Sequence, residues 1–144
     1  MSDSMIKQAQ SIGFDLDGVS VVARGGESIL KAAQRAGHDI PHLCYSDGLR
    51  ADGNCRACVV EIDGERALAP SCCRQPTEGM VVYSNNARAR QSQALVLELL
   101  KTDVGDAKFT GTSELDQWCD RLNIGPSRFA SRNQPMADVS HPAI

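Results

Sequence analysis

The stretch that decides the fold runs from residue 41 to residue 82 and reads PHLCYSDGLRADGNCRACVVEIDGERALAPSCCRQPTEGMVV. It contains five of the six cysteines of the 144-residue chain. Four of them follow the pattern Cys-x10-Cys-x2-Cys-x13-Cys, which joins Cys44, Cys55, Cys58 and Cys72. Cysteines so concentrated in one segment indicate metal binding or redox chemistry, because disulfides are rare in reducing compartments.

The spacing of these cysteines suits a [2Fe–2S] cluster. Cys55 and Cys58, separated by two residues, are predicted to bind one iron from a tight turn, while Cys44 and Cys72 supply the other iron from separate segments. Small residues nearby let backbone N–H groups approach the cluster sulfurs, and an arginine between two ligands adds positive charge. The predicted cluster environment consists of Gly53, Asn54, Arg56 and Ala57.

Other uses of the cysteines fit the sequence less well. Structural zinc sites usually pair two short units, whereas this chain has one short pair and two isolated cysteines. A Rieske site needs Cys-x-His pairs, and His42 precedes Cys44 in the reverse order. A structural zinc module that serves only assembly remains an alternative.

Composition and charge exclude several classes of function. The net charge of −3 gives no support to a nucleic-acid or anionic-membrane partner. No apolar run approaches the roughly 18 residues of a membrane span, and the N-terminus has no apolar signal region. The sequence therefore predicts a cytoplasmic protein without membrane insertion. No nucleophile–base pair, phosphate loop or dinucleotide fingerprint is present, so the chain alone is predicted to be non-catalytic.

Residues 11–84 predict a small mixed sheet with one helix packed across it. Alternating apolar residues and two Asp-Gly turn signals predict strands over 11–16, from Val19 to the glycine pair at 25–26, and over 57–62, 65–69 and 79–83. A helix is predicted between the second and third of these strands, beginning at Glu27 or Ser28 and ending at Gly37. Its predicted apolar stripe comprises Ile29, Leu30, Ala33 and Ala36.

The rest of the chain divides by helical and polar patterns. Residues 1–10 are predicted to be a flexible leader, and 85–101 an amphipathic helix. Its apolar pairs are Leu95 with Leu99 and Val96 with Leu100. Residues 102–144 are predicted to form a linker, a short helix at 113–122 and a docking tail.

Several residues near the motif have an ordinary interpretation. Cys73 is interpreted as a spare thiol rather than an alternative ligand, and Cys119 as a packing residue. His42 is expected to pack in the loop rather than bind metal. Arg88 and Arg90 are expected on a solvated face, with partner docking as the alternative.

The motif resembles the N-terminal [2Fe–2S] domain shared by several intracellular complexes. These include the large iron–sulfur subunit of NADH dehydrogenase, the diaphorase small subunit of NAD-reducing hydrogenases, iron-only hydrogenases, and the alpha subunit of NAD-dependent formate dehydrogenase. The segment DGNCRACVVEIDGER, which begins at residue 52, is most similar to the formate dehydrogenase subunit. The segment SELDQWCDRLNIGPSRFASRNQP from residue 113 resembles the same subunit, so the resemblance covers 11–144.

The resemblance implies an α+β fold, namely the β-grasp of plant-type [2Fe–2S] ferredoxins followed by a long helix and an extended C-terminal tail. It implies a [2Fe–2S] cofactor whose ligands are Cys44, Cys55, Cys58 and Cys72, the last being preferred to Cys73 because the matching family stretch begins with the ligand. Several relatives carry a His-x3-Cys-x2-Cys-x5-Cys motif after the long helix. Residues 102–125 contain no histidine and a single cysteine, Cys119, so a second cluster is not expected.

The function implied by the resemblance is electron transfer within an NAD-linked formate dehydrogenase complex. The chain would relay electrons between a molybdopterin-containing catalytic subunit and flavin/NAD diaphorase subunits. Alternatives are the equivalent module of an NAD-reducing hydrogenase or NADH dehydrogenase, and a free [2Fe–2S] ferredoxin in which 102–144 would be dispensable. Whether the chain is a subunit or part of a longer one is left open.

Overall fold

The structure is a computed structural model that describes residues 10–104 and 113–130. Its five strands are β1 (Ser11–Leu16), β2 (Val19–Arg24), β3 (Val59–Ile62), β4 (Ala69–Pro70) and β5 (Val81–Tyr83). The three helices within these described residues are α1 (Ile29–Arg35), α2 (Ala87–Val104) and α3 (Glu114–Arg121). The predicted leader, apart from residue 10, most of the predicted linker and the end of the predicted docking tail lie outside the described residues.

The strands form one mixed sheet in the order β2-β1-β5-β3-β4. Strands β1 and β5 are parallel, and the other neighbouring pairs are antiparallel. The β1–β2 hairpin is closed by Asp17 and Gly18, whose φ angles of 53° and 83° suit a two-residue hairpin loop. The predicted α+β architecture, a mixed sheet with one helix across it, is confirmed.

Helix α1 packs on the sheet and completes the main core. Ser28 caps the helix, since its Oγ accepts a hydrogen bond from the Lys31 backbone N–H at 3.2 Å. Ile29 and Leu30 are fully buried among core residues of the sheet such as Leu16. Ala36, predicted in the apolar stripe, is instead the exposed C-cap, and the buried residues of the helix are Ile29, Leu30, Ala32 and Ala33.

The strands around the cysteine motif are shorter than predicted. The return strand predicted over 65–69 is reduced to β4, and β3 and β5 each begin two residues later than predicted. Side chains bind the 65–68 segment instead of a ladder: Glu65 forms an ion pair with Arg74, and Arg88 donates to the carbonyl oxygen of Arg66 at 2.6 Å. Pro70 is tolerated because β4 is an edge strand.

Of the two predicted apolar pairs of helix α2, Val96 and Leu100 are half-buried, whereas Leu95 and Leu99 are exposed. Leu97 is 0% exposed, whereas Leu95 and Leu99 are 41% and 45% exposed. The buried face also contains Gln93, whose Nε2 donates to the carbonyl oxygens of Val59 and Ser84, both at 2.9 Å. These two hydrogen bonds favour this rotation of the helix together with the burial of Leu97, because leaving a buried carbonyl unpaired would cost about 1–3 kcal/mol. The helix also continues three residues past its predicted end.

Helix α3 lies against α2 and the cysteine-rich loop. Ser113 caps it, accepting a hydrogen bond from the Asp116 backbone N–H at 3.1 Å. The chain that follows is held by Glu98, whose Oε1 accepts hydrogen bonds from the Arg128 backbone N–H at 2.7 Å and from Nε at 3.1 Å. Within 10–104 and 113–130, no helix has the length and apolar character needed to cross a membrane.

Candidate metal centre

The four cysteines of the motif lie where the loop after α1 meets the start of β3 and the end of β4. Cys44 is exposed and Cys55 is half-buried, both on the loop between α1 and β3. Cys58 and Cys72 are 1% and 3% exposed and belong to the main core. The site therefore has an outer side and an inner side.

On the outer side, Cys44 and Cys55 form a pair surrounded by backbone donors. Burial raises the pKa of the Cys44 thiol, but hydrogen bonds from Cys55 and from the Asn54 backbone outweigh it, and the pKa is lowered. The backbone N–H of Ala57 points at Cys55 Sγ at 3.5 Å. Such N–H groups stabilise thiolate charge, which is the form that binds metal.

On the inner side, Cys58 and Cys72 form the second pair. Burial raises the pKa of the Cys72 thiol, and the neighbouring thiols of Cys58 and Cys73 raise it further. Ser71 joins the two segments, because both its backbone N–H, at 3.2 Å, and its Oγ, at 2.7 Å, donate to the Cys58 carbonyl oxygen.

This pairing differs from the one that the spacing suggested. The spacing assigned Cys55 and Cys58 to one iron, whereas the structure places Cys55 beside Cys44 and Cys58 beside Cys72. The reason is that the contact between β3 and β4 continues through Ser71 to Cys58. The contact between β3 and β4 therefore decides which thiol lies beside Cys58, although Cys55 is nearer to it in the sequence.

Two residues close to Cys55 in sequence lie in the left-handed region, Gly53 with φ +66° and Arg56 with φ +63°. A Cβ at Gly53 would lie 3.1 Å from Cys73 Sγ, so the backbone there passes close to the segment that follows β4. Of the predicted environment residues, Asn54 lies beside the Cys44 sulfur and Ala57 is fully buried, while Arg56 is exposed.

Gly53→Ala is expected to destabilise the chain more than Gly48→Ala. Both positions have positive φ, which costs about 1–2 kcal/mol for a residue with a side chain. Only Gly53 has a close neighbour, because an added Cβ would lie 3.1 Å from Cys73 Sγ and that thiol would have to shift by a few tenths of an ångström. Urea unfolding of both variants measures the difference, and equal losses would show that the Cys73 contact is unimportant. Adding Cys73→Ala to Gly53→Ala should recover part of the loss.

The donor set fits a cluster with two irons, because its four thiols lie as two pairs, one for each iron. Among the residues that the structure describes, no three His, Cys, Asp or Glu side chains are gathered around a single point where one ion could sit. Backbone donors at the outer pair and burial at the inner pair are the two environments that stabilise and tune iron–sulfur clusters.

Three further residues lie near the four cysteines, and one of them, Trp118, was not singled out from the sequence. Cys73 is exposed, with its Sγ 3.6 Å from that of Cys72. His42 packs in the loop, its Nδ1 donating to the Ile40 carbonyl oxygen at 2.9 Å. The Trp118 ring lies 5.8 Å from that of His42. The sequence offered one indication of its importance, because Trp118 is the only tryptophan of the chain and lies next to Cys119 on the predicted short helix.

Comparison with a family model matches residues 9–87 to the 2Fe-2S iron-sulfur cluster binding domain. This range includes all five strands, α1 and the four cysteines of the motif. The match thus falls on the part of the chain where the two thiol pairs lie.

Curated relatives and a solved structure extend the similarity. The NADP-reducing hydrogenase subunit HndD of Solidesulfovibrio fructosivorans is 42% identical over 124 residues, which are 79% of this chain and 21% of that protein. The mitochondrial 78 kDa subunit of NADH-ubiquinone oxidoreductase from Candida albicans is 36% identical over 94 residues, or 65% of this chain and 13% of that one. A chain of an NAD+-reducing [NiFe]-hydrogenase, solved in the H2-reduced state, matches with a TM-score of 0.78 and 30% identity, covering 92% of this chain and 58% of that one.

These relatives bear on the expected parent complex. The chain spans about a fifth or less of the length of the two curated relatives named above. Their names support the alternative, a hydrogenase or NADH dehydrogenase type of complex, better than formate dehydrogenase.

Proposed function

Because the chain belongs to the family of 2Fe-2S iron–sulfur cluster binding domains and carries a [2Fe–2S] cluster, we propose that Cys44, Cys55, Cys58 and Cys72 bind that cluster. The observation that carries the proposal is the arrangement of these thiols as two pairs, one partly exposed beside backbone donors and one buried in the core. Two thiolates for each iron is the coordination that a [2Fe–2S] cluster with four cysteines requires.

When bound, the cluster supplies one-electron chemistry, and the chain's own residues control where that chemistry happens. The buried pair, Cys58 and Cys72, keeps water from the inner side. The backbone N–H groups near Cys44 and Cys55 offset negative charge on the outer side. The exposure of Cys44 leaves this outer side open, so electrons are proposed to enter and leave there.

We further propose that the chain acts as the electron-transfer module of an NAD- or NADP-linked oxidoreductase complex in the cytoplasm. Support comes from the relatives, whose names describe subunits of NADP-reducing hydrogenase and NADH-ubiquinone oxidoreductase. Its partners would be a catalytic subunit and a flavin/NAD diaphorase subunit. Nothing in the charge favours a nucleic-acid partner.

Formate dehydrogenase remains a second candidate for the parent complex. A specific observation favours it, namely the resemblance of the segments beginning at residues 52 and 113 to its alpha subunit. In that case the catalytic partner would contain molybdopterin. The two candidates differ in the substrate that reduces the cluster, hydrogen or NADH in one case and formate in the other.

An anaerobic visible and EPR spectrum before and after dithionite tests the cluster itself. A red-brown protein with two irons and two sulfides per chain, whose reduced form gives a rhombic spin-half signal, is the expected result. A colourless protein with one tightly bound zinc would contradict the proposal and leave an assembly module. The parent complex is then tested by isolating the chain with its native partners and adding formate, hydrogen or NADH to separate samples.

A further inference from the structure

A second apolar core borders the candidate metal centre. Its fully or nearly fully buried members are Ala57, Leu97, Trp118 and Cys119. Partly buried side chains complete it: Leu43, Cys55, Val96, Leu115, Leu122 and Ile124. Cys55 is itself a proposed ligand, while Leu43 and Ala57 each directly precede one. The core that holds α3 is therefore also the packing surface of the ligand loop.

Trp118 makes the most direct connection between α3 and this loop. Its ring meets the His42 ring edge-on, at a centroid distance of 5.8 Å and an interplanar angle of 63°. The Arg121 guanidinium lies 4.3 Å from the Trp118 ring centroid, and its Nη2 donates to Asp39 Oδ2 at 2.6 Å. The ring is thus held between α3 and the segment that leads into Cys44.

The segment that carries Trp118 is also held at its far end. Arg128 binds Glu98 of α2 through its backbone N–H and its guanidinium. Helix α2 in turn reaches the other side of the ligand loop, because Gln93 donates to the carbonyl oxygen of Val59, the residue after Cys58. The segment 113–128 is therefore attached to α2, and α2 is hydrogen-bonded to Val59, the residue that follows the proposed ligand Cys58.

We propose that α3 clamps the ligand loop and that Trp118 is a positioning residue for the outer thiol pair, Cys44 and Cys55. The proposal rests on the proposed function, since it assumes that these thiols bind the cluster. Trp118 packs against His42 and, with the rest of the second core, covers the Cys55 side of the loop and excludes water there, while Cys44 stays exposed.

The physical consequence concerns the reduced state. Reduction adds one negative charge to the cluster, and water stabilises additional charge more than apolar side chains do. Exclusion of water by Trp118 therefore keeps the reduction potential low, while the ordered loop slows loss of the cluster. Removal of the ring should raise the potential and accelerate cluster loss together.

Trp118→Ala in the full chain, loaded with cluster, tests the clamp. At a fixed solution potential near the wild-type midpoint, the ratio of reduced to oxidised cluster is expected to rise about tenfold, equivalent to about 59 mV for a one-electron couple. Decay of the visible absorbance in the presence of an iron chelator should be several-fold faster. Trp118→Phe should recover most of both effects, because it retains an aromatic ring against His42. Leu99→Ala, on the exposed face of α2, is the matched control and should change neither.

The outcomes separate the clamp from the proposed function. A wild-type chain without the [2Fe–2S] signal would overturn the proposed function, and the clamp with it. A normal wild-type signal with an unchanged potential and rhombic spectrum in Trp118→Ala would overturn the clamp alone, even if stability fell. Where Trp118→Ala does not fold, Trp118→Leu replaces it, and a potential equal to that of Trp118→Phe would also count against the proposal.

Discussion

Cys72→Ala is expected to abolish the [2Fe–2S] cluster, whereas Cys73→Ala, one residue further on, should leave it intact. Cys72 lies in the main core beside Cys58, and Ser71 ties its segment to the Cys58 carbonyl oxygen. Cys73 is exposed. Alanine offers no donor to iron, so the inner side would retain one thiolate where two are needed. Iron content and visible absorbance of the two variants, prepared in parallel, measure the difference.

The closeness of the two thiols defines the result that would contradict this assignment. Cys73 Sγ lies only 3.6 Å from Cys72 Sγ. If Cys72→Ala kept its cluster and Cys73→Ala lost it, Cys73 would be the ligand. If each single variant kept a cluster and the double variant lost it, the two thiols would be interchangeable, which the proposed ligand set does not allow.

Leu97→Ala is expected to destabilise the fold by about 2–5 kcal/mol, the usual cost of removing a buried leucine. Leu97 is fully buried in the second core, against Ala57 and the α3 residues. Leu99→Ala, two residues along the same helix, should cost less than about 0.5 kcal/mol because its side chain is largely exposed. Denaturant unfolding of the apo protein measures both changes without involving the cluster.

Comparable losses at the two leucines would contradict the rotation of α2 that the structure shows. A larger loss at Leu99 than at Leu97 would restore the face predicted from the sequence, with Leu95 and Leu99 inward. In either case the second core, and the clamp argued from it, would have to be placed elsewhere.

Local chemistry made much of the fold predictable. The Asp17-Gly18 hairpin turn and the start of α1 at Ser28 depend on residues that interact with their immediate neighbours. The cysteine spacing likewise indicated a [2Fe–2S] cluster, in agreement with the family match. Strand ends were less predictable, as the shortened β4 shows, because side chains distant in sequence bind the 65–68 segment.

The sequence by itself determined the strand order along the chain, the turns and caps, and the kind of cofactor, because each depends on short-range backbone preferences or on ligand chemistry. The tertiary structure alone decided which thiols lie together, which face of α2 is buried, and that α3 packs against the ligand loop. Apolar residues occur on more than one face of α2, so its rotation is selected by tertiary contacts, namely the burial of Leu97 and the hydrogen bonds from Gln93 to the carbonyls of Val59 and Ser84. The thiol pairs depend in the same way on contacts between segments that lie far apart in the chain, which no local pattern records.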